Sequence, residues 1–227
     1  MAHLRSRLFF RLPLLAGIVG PLLFAATVLV VGSLRPDYSH VNQFMSELAE
    51  AGGQFAWLMK YFGFMLPAVF ILIFVLAFRS RFPGTALSSI GTSLLVVFAV
   101  SMFLAGVFPC DVGCSPTEPT PDQKLHDLFS ILAFPSFTAG VFFWGLSLFR
   151  NASWRRFGIY TLGTAILSLV LLIVMIQSEA SREGTGTYQR LYLGVLFLWL
   201  MMLSARLSRK LEIGGTERAA TELHEDQ

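Results

Sequence analysis

The chain has 227 residues, of which 55% are hydrophobic and only 14% charged, and its mean hydropathy is +0.66. Those values exclude an ordinary soluble globular domain and place most of the chain in a bilayer. The net charge of +3 and the pI of about 9.1 come from arginines at the ends of apolar runs, with no aromatic-interleaved basic stripe, so nucleic acid is excluded as a partner.

Crossing about 30 Å of hydrocarbon takes roughly 20 apolar helical residues. Six stretches meet that length, at about 12–34, 57–78, 87–108, 128–149, 157–177 and 191–207. The connections are too short to fold alone, so the expected fold is all-α: one polytopic bundle of six transmembrane helices over residues 1–210. The first stretch shares its basic start with a secretory signal peptide. Its length and the mid-span Pro21 favour a retained helix.

Between the first two spans, Pro36 and Asp37 open a turn, and Val41, Phe44, Met45 and Leu48 recur at helical spacing before Gly52-Gly53. This predicts a short amphipathic helix that lies on the membrane surface or caps the bundle. The third connection, from Pro109 to Asp127, holds Pro116, Pro119 and Pro121 and reads as extended chain and turns. The fifth, from Ser178 to Arg190, is interrupted by Gly184 and Gly186. Residues 211–227 turn polar and acidic and are expected to form a disordered tail. Within the spans, Gly91, Ser93, Gly158, Gly163, Thr164 and Ser168 are candidates for close helix packing.

Lys and Arg mark cytoplasmic flanks. Arginines precede the first span and follow the second, fourth and sixth, whereas Arg35, Lys60, Lys124, Arg182 and Arg190 fall on the other side with nine of the fourteen acids. The expected protein is therefore a multi-pass cell-membrane protein with both termini cytoplasmic. Its odd-numbered connections then face outward.

Ionisable chemistry concentrates on that outer side. Cys110 and Cys114 sit where disulfides form, and their even count favours a bridge, while a single Cys-x-x-x-Cys is a weak zinc pattern. His126 and Ser130 are four residues apart and share a helix face, so imidazole and hydroxyl can converge on one group. Alternatively, Asp127 simply favours a helix start and His126 sits at headgroup level. His40 and His126, with Asp111 and neighbouring carboxylates, could hold zinc with an open position for water, although two histidines are a partial ligand set. A hydrogen-bonded network tying three loops together would use the same residues. Glu179 and Arg190 can pair across the fifth connection, or cradle a headgroup. The bundle centre lacks the ionisable residues that a proton-driven transporter uses and the paired histidines of a haem carrier.

Leu34-Arg35-Pro36-Asp37-Tyr38-Ser39, Met45-Ser46-Glu47-Leu48, Phe108-Pro109-Cys110-Asp111 with Cys114, Leu125-His126-Asp127 and Tyr188-Gln189-Arg190 together resemble the prokaryotic membrane family catalogued as domain of unknown function 998. The resemblance covers roughly residues 12–207 and implies a six-helix integral membrane protein, without supplying a reaction. Against the ceramidase and adiponectin-receptor type of zinc hydrolase the chain departs in its two histidines, its six spans and the side on which its polar cluster falls.

The expected function is an outer-face site that binds, and could process, a lipid or other amphiphile. Candidate working groups are His126, Asp127, Asp111 and Glu47, with His40, Glu179, Arg190, Ser46 and Ser130 as ligand contacts and zinc as the candidate cofactor. An enzyme of this kind would be a membrane-embedded hydrolase or transferase. The competing expectations are an assembly or sensor component that meets a protein partner and a small transporter or channel.

Overall fold

The computed structural model describes the backbone over residues 2–225 and side chains over residues 12–209. It contains six helices long and apolar enough to cross a membrane: α1 (Ala2–Leu34), α2 (Ala56–Arg79), α3 (Ala86–Val107), α4 (Pro121–Arg150), α5 (Arg155–Ser178) and α6 (Thr185–Glu225). No strand occurs among the described residues. The expectation of a disordered 211–227 falls on side chains outside the described residues.

Each helix packs on its neighbours in sequence, and α6 closes back onto α1, giving a ring of six. Short connections force this antiparallel order. The helices are apolar nearly all round, because one face meets lipid and the other meets protein. Leu22, Leu29, Ile166 and Leu198 are exposed, whereas Thr27, Thr92, Thr161, Ser168 and Ser204 are buried. Inward-facing hydroxyls supply the ties between helices: Thr27 Oγ1 donates to Phe62 O (3.2 Å), Trp199 Nε1 donates to Thr161 Oγ1 (3.0 Å), and Ser204 Oγ donates to Leu14 O.

Of the expected packing positions, Gly91, Gly158, Thr164 and Ser168 are buried. A Cβ at Gly158 would collide with the Phe149 backbone, so α4 and α5 approach closely at the end where residues 151–154 join them. Gly163 faces open space and Ser93 is exposed, so these two belong to the lipid side and the expectation for them is corrected.

Two helices depart from their expected form. α2 contains a π-helical stretch, Met59–Met65, in which the Leu66 N–H reaches Tyr61 O. Pro67 lacks the N–H that would serve Gly63 O, and the looser register carries the chain past that gap. α4 begins seven residues before the expected span, at Pro121. Thr120 caps it by accepting from Gln123 N (3.2 Å), Pro121 suits the first helical turn, and Asp122 favours a helix start.

The basic end of the bundle carries Arg79, Arg150, Arg155 and Arg206. The opposite loop end is built by residues 35–55, 108–120 and 179–184. The expected amphipathic helix of the first loop is a 3₁₀ turn of five residues, Met45–Ala49, and it caps the bundle instead of lying on a membrane surface. Met45, Leu48 and Ala49 are buried while Val41 is exposed, so the helical spacing that included Val41 overestimated its length.

Candidate functional site

The loop end contains two constructions, a clamp and a cavity. The clamp fixes the first loop to α6 and to the third connection through buried charge. Glu47 is 2% exposed, and its carboxylate accepts from Arg182 Nη1 (2.9 Å), Phe44 N (3.0 Å) and Gln43 Nε2 (2.7 Å). Glu50 accepts from Arg35 Nη2 (2.7 Å) and Gly113 N (2.7 Å). Arg182 also donates to Gly113 O (3.0 Å) and lies over the Phe44 ring, joining all three loops. Burying carboxylates costs several kcal/mol unless each oxygen is matched, and here both are.

Arg190 anchors the other side of the clamp. Its guanidinium donates to His40 O (2.7 Å), Gly186 O (2.8 Å), Gln43 O (3.3 Å), Tyr38 Oη (2.5 Å) and His40 Nδ1 (3.2 Å). An arginine can only donate, so His40 Nδ1 is the acceptor and Nε2 carries the ring proton. Burial and the Arg190 cation both hold His40 below the ordinary imidazole pKa. Burial pushes the Tyr38 phenol up, opposed by Arg190.

The structure therefore revises several expectations. Arg190 does not pair with Glu179; the ion pairs of this end are Arg182 with Glu47 and Arg35 with Glu50. Arg190 is engaged by five acceptors of the first loop and its own helix, and it does not line the cavity beside the clamp. His40 is held by Arg190, whereas His126 is held by Ala105 O and Phe108 O. No group of three His, Cys, Asp or Glu side chains close enough to hold a metal occurs among the described residues, so His40, His126 and Asp111 do not form the zinc set considered above. Asp111 is occupied by its own loop, accepting from Thr120 N (3.0 Å) and Thr120 Oγ1 (2.7 Å). Its contribution, like that of Glu47, is to hold loops.

Cys110 and Cys114 stand at disulfide distance, with their Cα atoms 5.0 Å apart. Both sulfurs lie 3.7 Å from Ser46, one from its carbonyl oxygen and one from its hydroxyl. The cysteine loop is thus pressed onto the 3₁₀ turn, and Ala51 N donates to Cys110 O (2.8 Å) across the same junction.

Beside the clamp lies a cavity of about 480 Å³. One wall is a single stripe of α4, with Gln123, His126, Asp127, Ser130, Ile131, Phe134 and Pro135 at three- and four-residue spacing. The facing wall is α5, with Leu172, Met175, Ile176 and Glu179. Ser46, Cys114 and Gln189 close the remaining side. Five sequence-proposed residues therefore converge here: His126, Asp127, Ser130, Ser46 and Glu179.

The cavity exists because α4 and α5 diverge. They touch tightly at Gly158, are tied by Ser168 Oγ donating to Thr138 Oγ1 (3.3 Å), and leave a gap beyond that point. Tyr192 Oη on α6 donates to Phe134 O (2.5 Å) and meets Thr138 Oγ1 (2.9 Å), tying α6 to α4 at the lining residue Phe134. Pro135 has no N–H for Ile131 O, which leaves that lining residue's carbonyl without its helical donor.

His126 is 3% exposed and is oriented from behind. Its Nδ1 lies 2.9 Å from Phe108 O and 3.2 Å from Ala105 O on α3. Both oxygens can only accept, so Nδ1 carries the hydrogen, and in the neutral ring Nε2 keeps a free lone pair. No hydrogen-bond partner occupies Nε2 among the described residues. Gln123, 1% exposed, orients the neighbouring carboxylate by donating from Nε2 to Asp127 Oδ1 (2.7 Å) while its Oε1 accepts from Asp111 N (2.7 Å). Gln189 Oε1 accepts from Met45 N (2.7 Å), pinning the 3₁₀ turn over the cavity.

Gln123, Arg182, Arg35 and Glu50 are the structural residues that sequence reasoning passed over. Gln123 carried one legible signal, standing four residues before Asp127 on the same helix face. Nothing local distinguished Arg182 from any loop arginine.

A family model described as a protein of unknown function (DUF998) matches residues 18–206. No curated protein and no solved structure matches the chain.

Proposed function

Because the chain belongs to the DUF998 family, whose description carries no reaction, we propose from its geometry that the cavity between α4 and α5 binds a membrane amphiphile that enters sideways from the lipid. The observation that carries this reading is the pair Ile131 and Ile176, which line the cavity while being 68% and 57% exposed on two membrane-crossing helices. An opening edged by exposed isoleucines on such helices faces acyl chains.

The depth agrees. α4 has 30 residues, about 45 Å of helix against about 30 Å of hydrocarbon, so roughly its first ten residues stand outside the apolar layer when Arg150 marks the other boundary. His126 and Asp127 then lie at headgroup level, and Ile131, Phe134 and Leu172 lie among the chains. A polar head beside His126, Asp127 and Glu179 with a tail along Ile131 and Leu172 matches that division.

The loop end is proposed to be extracytoplasmic. The arginine distribution supports this orientation, and so does a cysteine pair at disulfide distance, because such bonds persist outside the cytoplasm. His126 also has the geometry of a general base, held through Nδ1 with Nε2 free and Ser130 one turn away. Hydrolysis or transfer on the bound amphiphile is the chemistry this arrangement would serve.

A hexadecyl chain carrying a diazirine tests the binding. Photolysis of protein in nanodiscs should label the α4 segment around Ile131 and the α5 segment around Ile176, and Ser130→Trp should remove both labels by filling the cavity. Equal labelling of all lipid-facing helices, unchanged by that substitution, would overturn the reading.

A further inference from the structure

We infer that the amphiphile carries a protonated amine head. This rests on the cavity reading just given and specifies the ligand class of the same site. The basis is the inventory of donors and acceptors that the cavity presents.

Three groups offer unmatched acceptors. Asp127 keeps Oδ2, since only its Oδ1 is engaged by Gln123. Glu179 lines the cavity with no hydrogen bond or ion pair to its carboxylate among the described residues. His126 offers Nε2 from a ring that is 3% exposed and held through Nδ1 by the carbonyls of Ala105 and Phe108, with no hydrogen-bond partner on Nε2 among the described residues.

On the donor side, no lysine or arginine lines the cavity. Arg182 is held by Glu47 and Gly113, and Arg190 by Tyr38, His40 and two further carbonyls. What remains are neutral groups: the serine hydroxyls and the Gln189 side-chain nitrogen. A phosphate or carboxylate head would meet two carboxylates with no cation to balance it. An ammonium head brings a positive charge and N–H donors, which suit two carboxylates and an imidazole nitrogen together.

The acids do not stand alone as an indicator. His126 is fixed so that a proton acceptor, not a donor, is presented by the neutral ring, and this is set by Ala105 O and Phe108 O on a different helix. Two independent features therefore ask for a donor at the same place, and the lipid-facing opening supplies the route for its tail.

The test compares three probes of equal chain length, hexadecylamine, hexadecanol and palmitate, titrated against the full-length protein in nanodiscs of zwitterionic lipid, with displacement of the diazirine label as readout. Hexadecylamine is expected to bind about tenfold or more tightly than hexadecanol, and palmitate more weakly than either. Asp127→Asn combined with Glu179→Gln should erase the amine's advantage while leaving hexadecanol binding unchanged. Binding of hexadecanol or palmitate as strong as that of the amine would overturn the headgroup inference and leave the cavity reading intact. Failure of all three to displace the label would overturn the cavity reading itself. Loss of hexadecanol binding by the double variant at unchanged thermal stability would contradict the electrostatic argument; if its stability fell as well, His126→Asn, which keeps the donor to Phe108 O and removes the Nε2 acceptor, decides instead, since unchanged amine affinity there overturns the inference and a loss supports it.

Discussion

Replacing Arg190 with alanine should weaken the fold without touching the cavity lining. The guanidinium serves five acceptors on two segments, the first loop and the start of α6, of which His40 O, Gly186 O and Tyr38 Oη are within 2.8 Å. Hydrogen bonds to a charged partner contribute about 1.5–3 kcal/mol each, but bonds sharing one side chain do not add. The half-buried site lets water replace some of them, so the expected loss is about 3–5 kcal/mol. At roughly 2–4 °C per kcal/mol for a chain of this size, the unfolding midpoint should fall by about 10 °C. Arg190→Lys keeps the charge but offers a compact head in place of a fork, and should lose about half as much. Thermal unfolding of both variants in detergent, followed by tryptophan fluorescence, measures this. A midpoint within about 2 °C of the parent for Arg190→Ala, combined with lost amphiphile binding, would show that Arg190 is a ligand and refute its role as a brace.

Three further outcomes follow from the same contacts. His40 has its pKa lowered by burial and by Arg190, so the unfolded chain takes up the proton first as pH falls; stability is fully present above about 6.5 and declines as pH drops through the folded-state value, and His40→Gln should flatten that slope in midpoints measured from pH 7.5 to 5. Cys114→Ser opens a loop with three residues between the sulfurs and should cost about 2 kcal/mol by loop-closure entropy, with intact-mass analysis of the parent showing the two hydrogens missing. His126→Leu strands Phe108 O and Ala105 O and should cost about 1–3 kcal/mol in chemical unfolding, whereas His126→Asn should retain most of that stability and lose ligand affinity.

The membrane helices were legible because each needs about 20 apolar residues, a signal that composition alone carries. The first-loop element was misjudged in length because Val41 fits a helical spacing that Phe44, Met45 and Leu48 share, while the backbone winds only from Met45. Faces were harder. Lipid and protein interior are equally apolar, so Ser93 and Gly163 resemble Gly91 and Gly158 in sequence although only the latter pair meets another helix. The candidate site divides along the same line. His126, Asp127 and Ser130 were legible as one helix face, because that follows from spacing within α4. That Glu179 joins them while Glu47, Asp111 and Arg190 do not depends on how α4 and α5 diverge and on which arginine reaches which acid. Arg182 takes Glu47 and Arg35 takes Glu50, choices made across up to 135 residues of sequence. Such partnerships leave no local pattern to read.

The central claim is that the α4–α5 cavity holds an amphiphile. Its most direct measurement is solvent extraction and mass spectrometry of the protein purified from its own membrane, beside Ser130→Trp purified identically. The cavity account predicts a near-stoichiometric amphiphile retained by the parent and depleted in the filled variant. The same lipids in the same amounts from both proteins would contradict it.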